Sequence, residues 1–161
     1  MPMAPFYSKF RDLAFEETRT VFLRNHESLP DGEYGFLEFY CNEVKCDCRR
    51  VLVQVIRPET GGRVWASINF GWETPAFYRR WTSGNPDDAD EMASATLDPI
   101  NLQSKYSDAL LRLFSDSVLH DAAYVQRLQR HYELFKGVAR RKRNTIAKAR
   151  SRRESKNRDG V

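Results

Sequence analysis

The sequence predicts an α+β fold, a four-stranded antiparallel meander followed by packed C-terminal helices. Three observations carry this. Between residues 18 and 72, four short runs rich in β-branched and aromatic residues are separated by turn-forming residues. From residue 74 onward the apolar period changes from two to about 3.6. Strands grouped ahead of helices, rather than interleaved with them, favour helices laid on one face of an antiparallel sheet. A chain of 161 residues suits one domain with enough length for a real core.

Residues 1–17, containing "SKFRDLAFEE", read as an N-terminal arm or short helix with Phe10 and Leu13 as apolar positions. "TRTVFLRN" (18–25) alternates in polarity and forms the first strand. Pro30-Asp31-Gly32 reverses the chain. "EYGFLEFYC" (33–41) is the second strand. It sets Tyr34, Phe36, Glu38 and Tyr40 on one face and Leu37, Phe39 and Cys41 on the other. "RVLVQVIR" (50–57) and "RVWASINFGW" (63–72) are the third and fourth strands, joined by the turn "PETGG".

Thr74 then caps a helix that starts at Pro75. "TSGNPDDADE" is a polar, acidic loop leading into a short helix that ends near Leu97. Residues 104–119 set Tyr106, Ala109, Leu110, Leu113 and Phe114 on one helical face. Asp121 caps the last helix, whose stripe is Tyr124, Leu128, His131 or Tyr132, and Phe135. Residues 18–139 are thus expected to form the single α+β domain. Residues 140–161 carry few large apolar side chains beyond Ile146, and read as a frayed helical extension or a disordered basic tail.

Composition narrows the function classes. No run approaches the ~18–20 apolar residues that span a bilayer. No basic region followed by an apolar one opens the chain, so a cytoplasmic, reducing compartment is expected. The net charge of +4 is unevenly spread: from Lys136 onward eleven Lys/Arg oppose two acids, leaving the preceding 135 residues at −5. A basic tail on an acidic body attracts polyphosphate without sequence preference. Its candidate contacts are Arg140, Arg141, Lys142, Arg143, Lys148, Arg150, Arg152 and Arg153. No aromatics interleave with them, so base stacking from the tail is not expected.

All three cysteines fall within eight residues, as C-x₄-C-x-C at Cys41, Cys46 and Cys48. Cys46 and Cys48 would share a face in an extended chain, and Cys41 would meet them across the hairpin. Three readings stay open: a metal site, three small buried hydrophobes, and thiol-redox chemistry. Metal binding is favoured, with Zn²⁺ as the cofactor. Its fourth ligand would be a histidine, ranked His131, then His120, then His26. Arg49 and Arg50 are expected to pair with Asp47, Glu38 or Glu43 around the hairpin.

Pro30-Asp31 followed by Glu43-x-Lys45 matches, as text, a metal-dependent nuclease pattern, but the residues sit in a turn and a loop rather than on adjacent core strands. Trp72 and Phe70 are expected as core residues closing the sheet edge onto the next helix; the alternative is a ligand pocket between sheet and helices lined by Trp65, Trp72, Tyr78 and Trp81. The favoured function is a small non-enzymatic binding or adaptor domain, with an unknown protein partner and a structural zinc site. Alternatives are a nucleic-acid-associated protein using its tail, and a thiol-redox or metal-dependent enzyme.

"GEYGFLEFYC", "CDCRRV" and "INFGWETPAFY" together resemble a family of uncharacterised bacterial proteins. That family has a Y-C-x₄-C-D-C-R-R-V hairpin, an N-F-G-W-E motif and helices ending near "RHYELFK". The resemblance covers about residues 18–136. Some members end in a cysteine-rich SEC-C zinc module; this chain departs there with a basic, cysteine-free tail. The resemblance implies no activity, but it makes Cys41, Cys46 and Cys48 a deliberate unit.

Overall fold

A computed structural model describes residues 2–82 and 86–158. Ser83, Gly84 and Asn85 of the expected acidic loop lie outside the described residues. One antiparallel sheet of six strands organises the chain. The strands are β1 (Met3–Pro5), β2 (Arg19–Leu23), β3 (Gly32–Cys41), β4 (Arg50–Arg57), β5 (Arg63–Gly71) and β6 (Ala95–Leu97). β2 to β5 form the predicted meander. β1 and β2 lie end to end along one edge of β3, while β4, β5 and β6 follow in order on its other side.

Two strands were not expected. β1 pairs Met3 with Cys41 and Pro5 with Phe39, so the N-terminal arm belongs to the sheet. β6 pairs Leu97 with Ile68, where the sequence suggested the end of a short helix. Both are three residues long, too short for an alternating pattern to appear.

The helices are α1 (Arg11–Glu17), α2 (Pro75–Thr82), α3 (Pro86–Met92), α4 (Ser107–Asp116) and α5 (Ala122–Arg158). The Thr74 hydroxyl accepts the Phe77 amide at 3.3 Å and the Asp121 carboxylate accepts that of Ala123 at 3.0 Å, as expected of the two caps. Gly71 is required where α2 and α3 meet the sheet end: a Cβ there would collide with the Met92 carbonyl and the Tyr78 hydroxyl.

The core lies between one sheet face and helices α4 and α5. Tyr34, Phe36, Tyr40, Val53 and Ile68 point inward from the strands and are fully buried. They meet Leu110 and Phe114 of α4 and Tyr124, Leu128, Tyr132 and Phe135 of α5. The predicted stripe of α5 is therefore its buried face. Ring contacts join the layers, with centroids 5.9 Å apart for Phe36–Phe114 and 5.8 Å for Tyr40–Phe135. Each such side chain taken from water contributes about 1.5–3 kcal/mol.

Past Ala139, α5 continues as one helix through Arg158 with its described side chains exposed. The tail is thus the helical extension of the two alternatives. Tertiary burial does not explain it. The docked part supplies the nucleus, and Ala, Lys and Arg then propagate it well. Arg150 pairs with Glu154 one turn on, at 2.9 Å.

Candidate metal centre

β3 delivers Cys41 to the end of the sheet, and residues 42–49 fold back to start β4. Every neighbouring element holds that loop. The Asn42 amide donates to the Pro2 carbonyl at 2.9 Å, and the Cys46 amide to that of Glu43 at 3.2 Å. Lys136 of α5, fully buried, donates its Nζ to the Glu43 carbonyl at 2.5 Å. Tyr132 donates to Asp47 at 3.3 Å. Arg49 closes the loop in the left-handed region, with φ of 48°. Its guanidinium pairs with Asp47 at 3.1 Å and Glu73 at 2.9 Å, and stands 4.7 Å from the Phe77 ring centre. The Tyr78 hydroxyl donates to the Arg49 carbonyl at 2.8 Å.

Inside this frame the ligand atoms of Cys41, Cys46 and Cys48 all lie within 4.8 Å of one another. Cys41 and Cys48 are fully buried and Cys46 is half-buried. A tetrahedral zinc site with Zn–S bonds of about 2.3 Å needs sulfurs ~3.8 Å apart. Small side-chain rotations close that gap. The three thiols can therefore hold a metal ion, and the donor set suits a borderline-soft one.

Burial, followed by the neighbouring thiols' charges, pushes the Cys48 thiol up to about 12. Burial, followed by a hydrogen bond with Cys41, raises that of Cys46. A metal-free loop thus holds these two as neutral thiols at pH 7, the wrong state for a redox nucleophile. A divalent cation supplies the missing positive charge and stabilises the thiolates.

The structure does not bring His131 to the thiols. Its Nδ1 lies 2.6 Å from Glu38 Oε2 and its Nε2 2.6 Å from Glu17 Oε2, while its ring stacks on Phe6 with centroids 4.1 Å apart. Both ring nitrogens face carboxylate oxygens, so neither is left to bind the metal. The Tyr40 hydroxyl adds a 2.8 Å bond to Glu38, and Arg130 one to Glu17 at 2.5 Å. His120 is exposed in a 3₁₀ turn, and His26 is exposed in the loop beyond β2. Among the described residues no fourth Cys, His, Asp or Glu joins the cluster.

The nuclease-like pattern is likewise dispersed. Asp31 precedes β3 and Glu43 follows it, and ten strand residues put them about 30 Å apart. Of the four aromatic residues considered for a pocket, Tyr78 is fully buried and Trp81 packs partly buried against the core. Trp65 stacks on Tyr106 with centroids 4.8 Å apart, and Trp72 meets Tyr132 edge-on at 5.3 Å. Of the arginine pairs expected around the hairpin, Arg49 forms one; Arg50 has no carboxylate partner among the described residues.

Sequence reading missed Lys136 and Tyr132 as loop anchors. Their signal was present in the α5 stripe, which continues past Phe135. No family model, curated protein or solved structure matches this chain. No helix among the described residues is long and apolar enough to cross a membrane.

Proposed function

We propose that this chain is a small binding or adaptor domain whose Cys41, Cys46 and Cys48 hold one Zn²⁺. The observation that carries the reading is the convergence of three thiols, two of them fully buried, in a loop pinned from three sides. Three protein thiolates leave one tetrahedral position for a water or another ligand. The metal supplies cross-linking of the β3–β4 connection to the sheet end, a role that needs no reaction.

Protein purified without chelator is expected to carry close to one zinc per chain by elemental mass spectrometry. Zinc-free protein with three titratable thiols, unable to take up zinc on addition, would falsify the reading.

A second reading is favoured by the exposed helix that continues past the domain. From Arg140 to Arg158 it carries ten Lys/Arg and one Glu, with Asn144, Ala147, Ser151 and Ser155 along one strip. The rest of the helix surface offers Arg141, Lys142, Lys148, Arg152, Arg153 and Lys156 to a phosphate backbone. Non-specific duplex binding through this segment is expected to weaken steeply with salt. Each phosphate contact contributes about −0.9 to the slope of log K against log[salt]. Replacing Arg141, Lys142, Arg152 and Arg153 by Gln should flatten that slope by about three to four. A gel shift whose salt dependence survives the replacement would remove the tail from the interface.

A further inference from the structure

The sheet face turned away from α4 and α5 carries a groove of about 450 Å³. Strand register sets its floor: Phe39 lies opposite Leu52, and Leu52 opposite Asn69. Met3 of β1 forms one wall, and Ile100 and Asn101 form the other. Cys48 and Arg50 line the groove where it reaches the cysteine loop.

Arg50 is half-buried, its guanidinium makes no hydrogen bond or ion pair among the described residues, and its Nε is sealed from solvent; Asp98 acts on it only through space. Four other arginines of the body have acid partners: Arg19 with Asp121, Arg49 with Asp47 and Glu73, Arg57 with Glu59, and Arg130 with Glu17; Arg127, whose Nε is likewise buried and unpaired, lies over the Tyr124 ring instead. The acid in the same groove, Asp98, is occupied elsewhere. It accepts the Asn69 amide at 2.6 Å, and the Ile100 and Asn101 backbone amides at 3.0 and 2.8 Å. A guanidinium taken partly out of water without a counterion is costly, and its planar fork matches a carboxylate.

We propose that this groove binds a small organic monocarboxylate, its carboxylate on Arg50 and its apolar body on Phe39 and Leu52. The volume lies in the lower part of the range of ligand sites, about 300–1,000 Å³. Three features select the chemical class. Arg50 is the one cation lining the groove and its guanidinium hydrogen bonds are unfilled, which suits one carboxylate. The apolar floor rewards a hydrocarbon or aromatic body. The Asp98 carboxylate, already held by Asn69 and two backbone amides, repels any anion, and a dianion such as phosphate about twice as strongly as a monocarboxylate. This inference goes beyond the zinc reading and does not need it, because Arg50 and the floor belong to strands β3, β4 and β5.

The test is a titration of the full chain with benzoate, followed by amide chemical shifts, in metal-free and zinc-loaded protein. Benzoate is expected to saturate and to shift Phe39, Leu52, Asn69 and Asn101. Benzamide, which has the same shape and no charge, should bind about tenfold more weakly or worse, as should benzoate to Arg50→Gln. The benzamide comparison uses the native chain and stands even if the variant misfolds. Equal binding of benzamide, tighter binding of inorganic phosphate, or no saturable shift in the groove would overturn the proposal. Saturation in protein that takes up no zinc would sink the metal reading and leave the groove standing.

Discussion

Cys48→Ser is expected to release the zinc and loosen the β3–β4 connection while the rest of the sheet stays folded. Cys48 is fully buried and sits next to the start of β4. Structural zinc contributes about 10–16 kcal/mol of binding free energy in small metal-folded domains. Divided over its ligands, one lost thiolate costs on the order of 3–5 kcal/mol of metal affinity, several hundred-fold or more. The measurement is zinc content per chain after exchange against a competing chelator, with amide exchange of residues 42–49 read alongside. Cys46→Ser should lose similar affinity but less packing, since Cys46 is half-exposed. A Cys48→Ser protein retaining full zinc would remove that thiol from the site. A variant that unfolds more easily than wild type even after both are stripped by chelator would make packing, not metal, the role of the cysteine.

His131→Ala is expected to destabilise the fold strongly and leave zinc content unchanged. The imidazole is 1% exposed and is bracketed by Glu38 and Glu17. Removing it leaves the Glu38 carboxylate in the core with the Tyr40 hydroxyl as its hydrogen-bond donor, and opens a void against Phe6. Breaking a buried pair from one side costs about 3–5 kcal/mol. In a chain of this size that lowers Tm by roughly 10 °C or more.

The acid limb of stability should change too. The hydrogen bond from His131 holds the Glu17 carboxyl below its ordinary value; burial opposes this and Arg130 adds to it. A depressed carboxyl contributes stability that is full above its unfolded value of about 4.3 and is lost as pH falls through the folded value. His131→Ala should therefore flatten the loss of Tm below about pH 4.3. Loss of zinc on His131→Ala, with unchanged Tm, would instead place this histidine at the metal.

The contrast between His131 and the cysteines shows what a sequence reveals. The alternation in "EYGFLEFYC" places Cys41 on the outward face of its strand, and C-x-C brings its partners back across one hairpin. Local geometry fixes that cluster, so local pattern exposes it. The α5 stripe likewise places His131 on the buried face. A helical stripe gives angle, however, and not what lies opposite each turn. One turn of α5 reaches Glu38 and the next reaches the cysteine loop, through Tyr132 and Lys136. The register of helix against sheet depends on packing across about ninety residues of sequence separation. β2 to β5 were legible because each is long enough to alternate, whereas β1 and β6 are defined by the strands they join. Arg50 shows the same limit. Its charge suggested an ion pair, but alternation along β4 turns it to the sheet face opposite Glu38.

The unbroken α5 also fixes how charge is laid out in space. Nineteen residues beyond Ala139, at 1.5 Å each, carry cations about 28 Å past the packed body. A straight helix has no joint through which that segment can fold back onto the acidic surface of residues 1–135, so the two charges are not neutralised internally. The molecule is consequently a large permanent electric dipole lying along one axis. In an external field such a dipole aligns along the α5 axis. At low ionic strength the same polarity draws one molecule's overhang to another's body. That attraction fades as the screening length shrinks to about 8 Å in physiological salt, far less than the separation of the poles.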